Sequence, residues 1–172
     1  ATTVREFATE KLAPRAELVD EKAEFPIDQF RGLAELGLTG MTIPEEYGGS
    51  GGGYRDFMVV LEEVAAACGS TSTVLITHVS LGSQTIRHGG SEEQVKKWLP
   101  SLASGEKIAA FALTEPGTGS DALALETSLT RDGDDYVLNG SKLFITNGAE
   151  ADIFSVFTNH DKSAGHRGVT AV

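Results

Sequence analysis

The sequence predicts an α+β protein, with an all-α helical domain over residues 1–105 followed by an antiparallel, barrel-like β domain over residues 106–172. Apolar residues recur at helical spacing in the first part, whereas short apolar runs alternate with Asx-Gly pairs in the second. The last apolar run, GVTAV, reaches residue 172. A strand left without a partner there would expose an apolar edge, so we expect the β domain to be truncated and the chain to continue.

The composition is that of an ordinary globular protein, with 40% hydrophobic and 23% charged residues. No apolar run approaches the roughly 20 residues that a membrane-spanning helix needs. The net charge of −11 argues against a nucleic-acid partner, because such partners require a basic face. Cys68 is the single cysteine, which excludes an internal disulfide and a cysteine-based metal cluster and favours a reducing compartment.

The stretch DFMVVLEEVAAACG predicts an amphipathic helix. Phe57, Leu61, Val64 and Cys68 fall on one helical stripe, which predicts that they face the core. Gly69 follows directly and is predicted to end this helix.

Capping residues predict two further helices. Asp28 is a candidate N-cap for the helix in IDQFRGLAELG, and Gly37 is its predicted end. In SEEQVKKW, Ser91 precedes Gln94 by three positions, which is a capping-box pattern.

The stretch TSTVLITHVSLGSQTIRHGG predicts one more helix, although its β-branched residues lower helix propensity. Val74, Thr77, His78 and Leu81 are expected to share one face of it. The pair Gly89-Gly90 is its predicted end.

Short strands are predicted after residue 105. KIAAFALT is an apolar run that ends before Pro116, and GVTAV reads as the last strand. Three turn signals separate the segments between them, and they are Asp132-Gly133, Asn139-Gly140 and Asn147-Gly148.

The stretch FALTEPGTGSD places many backbone-exposing residues directly after a predicted strand. Gly117, Gly119 and Ala122 fit the G-x-G-x-x-[GA] pattern of dinucleotide-binding folds. About ten residues remain before the Asp132-Gly133 turn, too few for the crossover helix and second strand of that fold. A plain surface turn and a ligand cradle remain open.

The cradle alternative has a physical basis. Glycines allow close approach of the main chain, and successive backbone N–H groups favour an anion or a carbonyl oxygen. Thr114 and Ser120 add hydroxyl groups. These features suit a cofactor with a polar ring and a phosphate tail.

The stretch KLFITN is a second candidate. In a strand, Phe144 and Thr146 would share one face, so that the phenyl ring could cover a flat cofactor ring while the hydroxyl donates to its polar edge. Ordinary core packing for Phe144 and turn chemistry for Asn147 are the alternative.

Other features indicate structure rather than a site. The glycine-rich stretch GGSGGGY lacks the lysine of a phosphate-binding loop and is interpreted as a connector. Trp98 is expected to serve core or interdomain packing. The four histidines (His78, His88, His160 and His166) lack partners at metal-ligand spacing, so no metal is predicted.

Four stretches in this order resemble the acyl-CoA dehydrogenase family over essentially the whole chain. They are IPEEYGGSG, VVLEEVAAACGSTS, EEQVKKWLPSLASGEKIAAFALTEPGTGSD and YVLNGSKLFITNGAEAD. The resemblance implies a flavoprotein oxidoreductase of fatty acid β-oxidation that binds FAD, and the overall character is similar to short-chain, butyryl-type members.

The resemblance also implies site residues. The expected FAD-binding residues are Phe111, Leu113, Thr114, Gly119, Ser120, Phe144, Ile145 and Thr146. Ser120 is expected to contact the acyl-CoA substrate as well, and Val74, Thr77 and Leu81 are expected to line the acyl pocket. Glu126 and Ala124 depart from the residues that are usual in the family, which leaves the electrostatics beyond Ser120 open.

The implied reaction is α,β-dehydrogenation of an acyl-CoA thioester to the trans-2-enoyl-CoA, with electrons passed to an electron-transfer flavoprotein. The family's C-terminal helical bundle, which carries the glutamate base, is absent from these residues, so no catalytic residue is assigned. A homotetramer or dimer in the bacterial cytoplasm or the mitochondrial matrix is expected. An oxidase-like enzyme that uses oxygen and a non-catalytic binding homologue remain alternatives.

Overall fold

The computed structural model describes residues 2–172 and confirms the α+β class. Its helices all lie before residue 104, apart from a 3₁₀ turn at Lys162–Gly168, and its strands all lie after residue 108. The α-helices are α1 (Thr2–Phe7), α2 (Ala13–Glu21), α3 (Ile27–Glu35), α4 (Tyr54–Ala67), α5 (Gly69–Ile76), α6 (Ser83–Gly89) and α7 (Glu92–Ala103). The π-helical turns Ala8–Leu12 and Thr77–Gly82 join α1 to α2 and α5 to α6, and a 3₁₀ turn covers Glu45–Tyr47.

Helix α4 buries its predicted stripe. Phe57, Leu61, Val64 and Cys68 are all buried, in one cluster with residues of the first helices and of α5. The prediction that Gly69 ends this helix is wrong. Cys68 has extended backbone angles (φ −153°, ψ 108°) and breaks the helix, and Gly69 is already the first residue of α5.

The two predicted caps have different outcomes. Asp28 does not cap α3, because Pro26 occupies the N-cap position and Asp28 lies in the first turn, where its charge still suits the helix dipole. Gly37 ends the helix as predicted, at φ 72°. The capping box of α7 is confirmed, since the Ser91 hydroxyl accepts from the Gln94 amide at 3.2 Å and the Gln94 side chain accepts from the Ser91 amide at 2.8 Å.

The helix from α5 to α6 is continuous but contains a π-helical turn. Val74, Thr77 and His78 are buried, whereas Leu81 is 42% exposed, so the four residues do not share one face as predicted. The extra residue of a π-turn rotates the following side chains relative to an α-helical face, which explains why Leu81 leaves the stripe. The helix ends at Gly89, and Gly90 is extended, as predicted.

The sheet is mixed and open, not antiparallel throughout. Strands β1 and β4 pair in parallel, as do β2 and β4 at Ser128 and Asn159, whereas the β2–β3 and β4–β5 pairs are antiparallel. The order is β1-β4-β2-β3, with β5 also paired to β4. The strands are β1 (Ala109–Ala112), β2 (Ser128–Asp132), β3 (Asp135–Asn139), β4 (Ile153–Asn159) and β5 (Val169–Ala171).

The three Asx-Gly signals differ in outcome. Asp132-Gly133 begins the turn that connects β2 and β3 in a hairpin, with Gly133 at φ 63°. Asn139-Gly140 ends β3, but no strand follows it, and Asn147-Gly148 lies in a turn that leads into β4. Because residues 141–150 form no strand, β4 does not return as a hairpin and instead pairs in parallel with β1.

Strand β1 packs into the helical part of the chain. Ala109 belongs to the same buried cluster as Ile43, Leu99 and Leu102. A β-carbon on Gly82 would lie 2.4 Å from the Ala109 β-carbon, so the π-turn approaches β1 as closely as backbone allows. The strand that precedes the predicted cofactor loop is therefore supported directly by the helices.

Candidate functional site

The loop after β1 folds into a tight turn. Glu115 and Thr118 exchange backbone hydrogen bonds of 3.0 and 3.1 Å across Pro116 and Gly117, and proline is favoured at that corner. The Thr118 hydroxyl donates to the Ala124 carbonyl at 2.9 Å. Hydrogen bonds among the loop's own residues thus stabilise its conformation.

Gly119 and Ser120 lie beyond that turn and are exposed. A β-carbon on Gly117 or Gly119 would meet no atom within 4 Å, and neither residue has a positive φ. The backbone there is accessible to a flat ligand. The backbone conformation at Gly117 and Gly119 is therefore one that other residues can adopt.

Glu115 is a buried carboxylate with three donors. Its oxygens accept from the backbone amides of Glu126 at 2.7 Å and Thr127 at 3.0 Å, and from the Lys142 ammonium at 2.7 Å. Burial raises its pKa, but these hydrogen bonds outweigh burial and lower the pKa of Glu115 to about 2. The side chain is therefore charged near neutral pH and is unsuited to act as a general base.

Lys142 connects the two predicted cofactor-binding stretches. Besides its ion pair with Glu115, its ammonium donates to the Leu113 carbonyl at 2.9 Å. The adjacent Leu143 amide donates to the Thr114 carbonyl at 2.9 Å. The stretch KLFITN thus lies directly beside the strand exit at 113–115.

The prediction that KLFITN is a strand is wrong. Phe144 and Asn147 have φ values of 55° and 67°, which a strand cannot contain. Phe144 is 89% exposed, whereas Ile145 and Thr146 are half-buried, so Phe144 and Thr146 do not share a strand face. The side-chain pattern of KLFITN predicted a strand. Side-chain hydrogen bonds hold this stretch instead of the backbone hydrogen bonds that a strand would make.

Asn147 is a functional candidate that the sequence alone did not reveal. Its side-chain amide donates to the carbonyl of Val74 on α5 at 3.3 Å and to that of Ala109 on β1 at 3.1 Å. Its side-chain oxygen, Oδ1, is buried without a partner among the described residues. Sequence pattern offered only an Asn-Gly turn signal at this position.

The remaining predicted residues are more dispersed. Phe111 is half-buried on β1 with its ring 4.7 Å from that of Phe157. Val74 packs in a buried cluster with Phe30 and Ile108, Thr77 is also buried, and Leu81 faces outward. The structure therefore does not bring Val74, Thr77 and Leu81 together on one open surface, and their role in an acyl pocket stays a prediction.

His78 braces the junction between helices and sheet. One ring nitrogen lies 3.0 Å from the Leu102 carbonyl, and the other accepts from the Ala109 amide at 3.1 Å. Burial lowers the pKa of His78 to about 4, so the ring is neutral and can accept that hydrogen bond. His78 thereby connects the π-helical turn to α7 and to β1, the strand that precedes the 113–120 loop.

A cavity of about 370 Å³ lies between the helices α6 and α7 and the strands β4 and β5. It is lined among others by Ile86, Trp98, Phe154 and Val172, and by none of the predicted site residues. Trp98 is half-buried and lines this cavity, and its role in core or interdomain packing stays a prediction. No group of three potential metal ligands occurs within residues 2–172. Across that same range, every helix is too short or too polar to cross a membrane.

The chain belongs to the acyl-CoA dehydrogenase family. The model of the family's N-terminal domain matches residues 1–106, and that of its middle domain matches residues 110–172. The predicted division at residue 105 lies between helix α7 and strand β1, but the extent of each domain stays a prediction.

Individual relatives agree with this membership. The chain is 42% identical to the short-chain specific acyl-CoA dehydrogenase of Clostridium acetobutylicum over 98% of this chain and 44% of that protein. It matches a chain in the structure of the electron transferring flavoprotein of Acidaminococcus fermentans with a TM-score of 0.93 and 41% identity, over 98% of this chain and 44% of that one.

A third comparison concerns the cofactor. The structure of an acyl-CoA dehydrogenase complexed with FAD from Bacillus anthracis matches with a TM-score of 0.89 and 40% identity, over 99% of this chain and 29% of that chain. The chain therefore spans less than half the length of each of these relatives.

Proposed function

We propose that the whole protein is an FAD-dependent acyl-CoA dehydrogenase. The reaction is α,β-dehydrogenation of an acyl-CoA thioester to the trans-2-enoyl-CoA, and an electron-transfer flavoprotein accepts the electrons. Family membership supports this proposal, and the name of the Clostridium relative favours short-chain substrates. The observation that carries it is the junction of the 113–120 and 142–147 stretches through Lys142.

The residues at this junction suit FAD. The space beside Gly117 and Gly119 is open, so nothing hinders a ligand from lying against the backbone. The exposed Phe144 offers an apolar face to a flat ring system. Thr114, Ser120 and Thr146 supply hydroxyl groups for polar edges.

The described residues have binding and shielding roles in this proposal. Phe111, Leu113, Thr114, Gly119 and Ser120 hold the cofactor from one stretch, and Phe144, Ile145 and Thr146 hold it from the other. Ser120 also contacts substrate, and the helix that carries Val74, Thr77 and Leu81 borders the acyl pocket, with Leu81 as the exposed member of the three. FAD, when bound, supplies the electron acceptor for the reaction.

We place the protein in the bacterial cytoplasm or the mitochondrial matrix, as a homotetramer or dimer. Its one cysteine, Cys68, is buried as a free thiol, which suits a reducing compartment. Tyr136, Val137 and Leu138 of β3 are all about half exposed or more, which leaves apolar surface for an assembly contact.

The test is purification of the whole protein followed by anaerobic addition of butyryl-CoA. We expect a visible flavin spectrum that bleaches on addition and recovers slowly in air but rapidly with electron-transfer flavoprotein. Rapid recovery in air alone would favour the oxidase-like alternative. Bound flavin that no acyl-CoA bleaches would favour a non-catalytic homologue, and absence of flavin would overturn the proposal.

A further inference from the structure

The stretch Lys142–Asn147 is held at its two ends by side chains rather than by a strand ladder. Lys142 is bonded to the Glu115 carboxylate and the Leu113 carbonyl at one end. Asn147 is bonded to the Val74 and Ala109 carbonyls at the other end. Between these anchors, Phe144 is exposed and Ile145 and Thr146 are half-buried.

The Lys142 anchor is secluded from solvent. The side chain of Lys142 is 11% exposed and that of Glu115 is 3% exposed, so their attraction is only weakly screened by water and salt. Two backbone amides complete the donors around the carboxylate. Removal of the ammonium alone would leave a buried charge without its counterion, which is a costly change.

The Asn147 anchor joins three parts of the chain. Its two acceptors lie on α5 and on β1, which are separated from it by 73 and 38 positions along the sequence. Asn147 has a φ of 67°, a conformation that asparagine tolerates better than most residues. Thr146 is its direct neighbour, so a shift of Asn147 moves the Thr146 hydroxyl as well.

The backbone between the anchors is held in an unfavourable conformation. Phe144 has a φ of 55°, which is sparsely populated for a bulky side chain. Such a conformation persists only where the surrounding structure over-determines it, and in proteins it clusters at ligand contacts. The exposed ring is not held by core packing, so the restraint comes from the two side-chain anchors and from the Leu143 amide, which donates to the Thr114 carbonyl at 2.9 Å.

We infer that Lys142 and Asn147 are positioning residues of the flavin site, which act as a two-point clamp on Phe144–Thr146. This inference rests on the proposed function. Neither side chain needs to touch the cofactor. Lys142, together with the Leu143–Thr114 backbone hydrogen bond, holds this stretch against the 113–120 loop. Asn147 fixes the position of the neighbouring Thr146 relative to α5 and β1.

The test uses the whole protein and measures FAD affinity, the flavin absorption spectrum and the melting temperature. We expect Lys142→Met and Asn147→Ala each to weaken FAD binding at least tenfold and to shift the flavin absorption bands. Lys142→Arg keeps the charge and should restore most of the affinity. Thr71→Val is the matched control, since it removes buried hydrogen bonds within the helical part, to Gln29 and Cys68.

The Glu115→Gln/Lys142→Met double variant distinguishes a loss of FAD affinity from a failure of the single Lys142 variant to fold. Removal of both charges relieves the buried-charge penalty, so the double variant should melt near the wild-type temperature. FAD affinity should remain at least tenfold reduced, because the tether to the Leu113 carbonyl is still lost. This separation of stability from affinity is a result that a merely structural pair would not produce.

The outcomes separate the clamp from the function itself. Folded Lys142→Met and Asn147→Ala proteins with wild-type FAD affinity and spectrum would overturn the clamp and leave the proposed function intact. A Thr71→Val protein with an equal loss of affinity would also overturn it, since the effect would then follow stability alone. A wild-type protein that retains no FAD would overturn the proposed function, and the clamp with it.

Discussion

Glu115 and His78 are buried ionisable residues in opposite charge states. Glu115 is charged because an ammonium and two backbone amides surround its carboxylate. His78 is neutral because burial opposes its charge and because one ring nitrogen must accept from Ala109. His78 supports the strand that leads into the proposed cofactor loop, and Glu115 lies in that loop, so their titration tests the architecture of the site.

We expect the free energy of unfolding to fall in two pH windows on acidification. The pKa of His78 is lowered to about 4 from 6.5, so its contribution is complete above pH 6.5 and is lost as the pH falls toward 4. The pKa of Glu115 is lowered to about 2 from 4.5, so its contribution is complete above pH 4.5 and is lost toward pH 2.

Denaturant unfolding at a series of pH values measures these windows. His78→Gln should remove the upper window and leave the lower one, and Glu115→Gln should do the reverse. If Glu115→Gln unfolds with the same pH dependence as the wild type, the buried ion pair is not the source of the lower window.

Gly119→Val should abolish FAD retention in the whole protein with little loss of stability. A β-carbon there meets no protein atom within 4 Å, and the φ of Gly119 is not positive, so the fold tolerates the side chain. A surface change of this kind usually alters stability by no more than about 0.5 kcal/mol. The valine would instead occupy the space proposed for the cofactor. Flavin absorbance per protein after purification checks this.

Gly140→Ala is the control for Gly119→Val, because it adds a β-carbon at a glycine that is closely packed. Its added β-carbon would lie 2.4 Å from the Thr127 hydroxyl oxygen, so the fold must shift. A melting-temperature loss for Gly140→Ala and none for Gly119→Val is the expected pattern. A yellow, fully loaded Gly119→Val protein would identify the loop as an ordinary surface turn.

At the scale of elements, the contact between the π-helical turn and β1 positions the site. Gly82 allows this contact, because the β-carbon of any larger residue would clash with Ala109. We expect Gly82→Ala to reduce stability by about 1–3 kcal/mol, the usual cost of overpacking a filled core. Thermal melting measures the loss.

Gly89→Ala is the matched control on the same helix. Its β-carbon would meet nothing within 4 Å, and alanine favours helix over glycine. This variant should therefore be as stable as the wild type or slightly more so. Equal melting temperatures for Gly82→Ala and Gly89→Ala would show that β1 is not packed against the turn as described.

At the scale of the whole molecule, the proposed cofactor surface is open on one side. Phe144 is 89% exposed, and the space beside Gly117 and Gly119 is empty of protein atoms. We expect residues 1–172 alone to bind FAD at least a hundredfold more weakly than the whole protein, because enclosure of a ligand contributes much of its affinity. Fluorescence titration of FAD into both proteins, with circular dichroism as a folding control, decides this. Tight stoichiometric binding by residues 1–172 would contradict it.

Local sequence pattern was sufficient to predict the order of helices before strands, the buried stripe of α4, the capping box at Ser91 and the hairpin at Gly133. Each of these depends on residues a few positions apart, so a local pattern contains all the information. The family motifs also located both proposed cofactor stretches, since each motif is a contiguous run of residues.

The contacts between the two cofactor stretches became visible in the folded structure and not in the sequence. Lys142 and Glu115 are 27 positions apart, and Asn147 and Val74 are 73 positions apart, so no local pattern predicts either contact. The same long-range contacts overrode the strand pattern of KLFITN and the antiparallel expectation for the sheet. The physical reason is that a buried charge or amide must find its partners wherever the packed chain places them, whatever the local pattern favours.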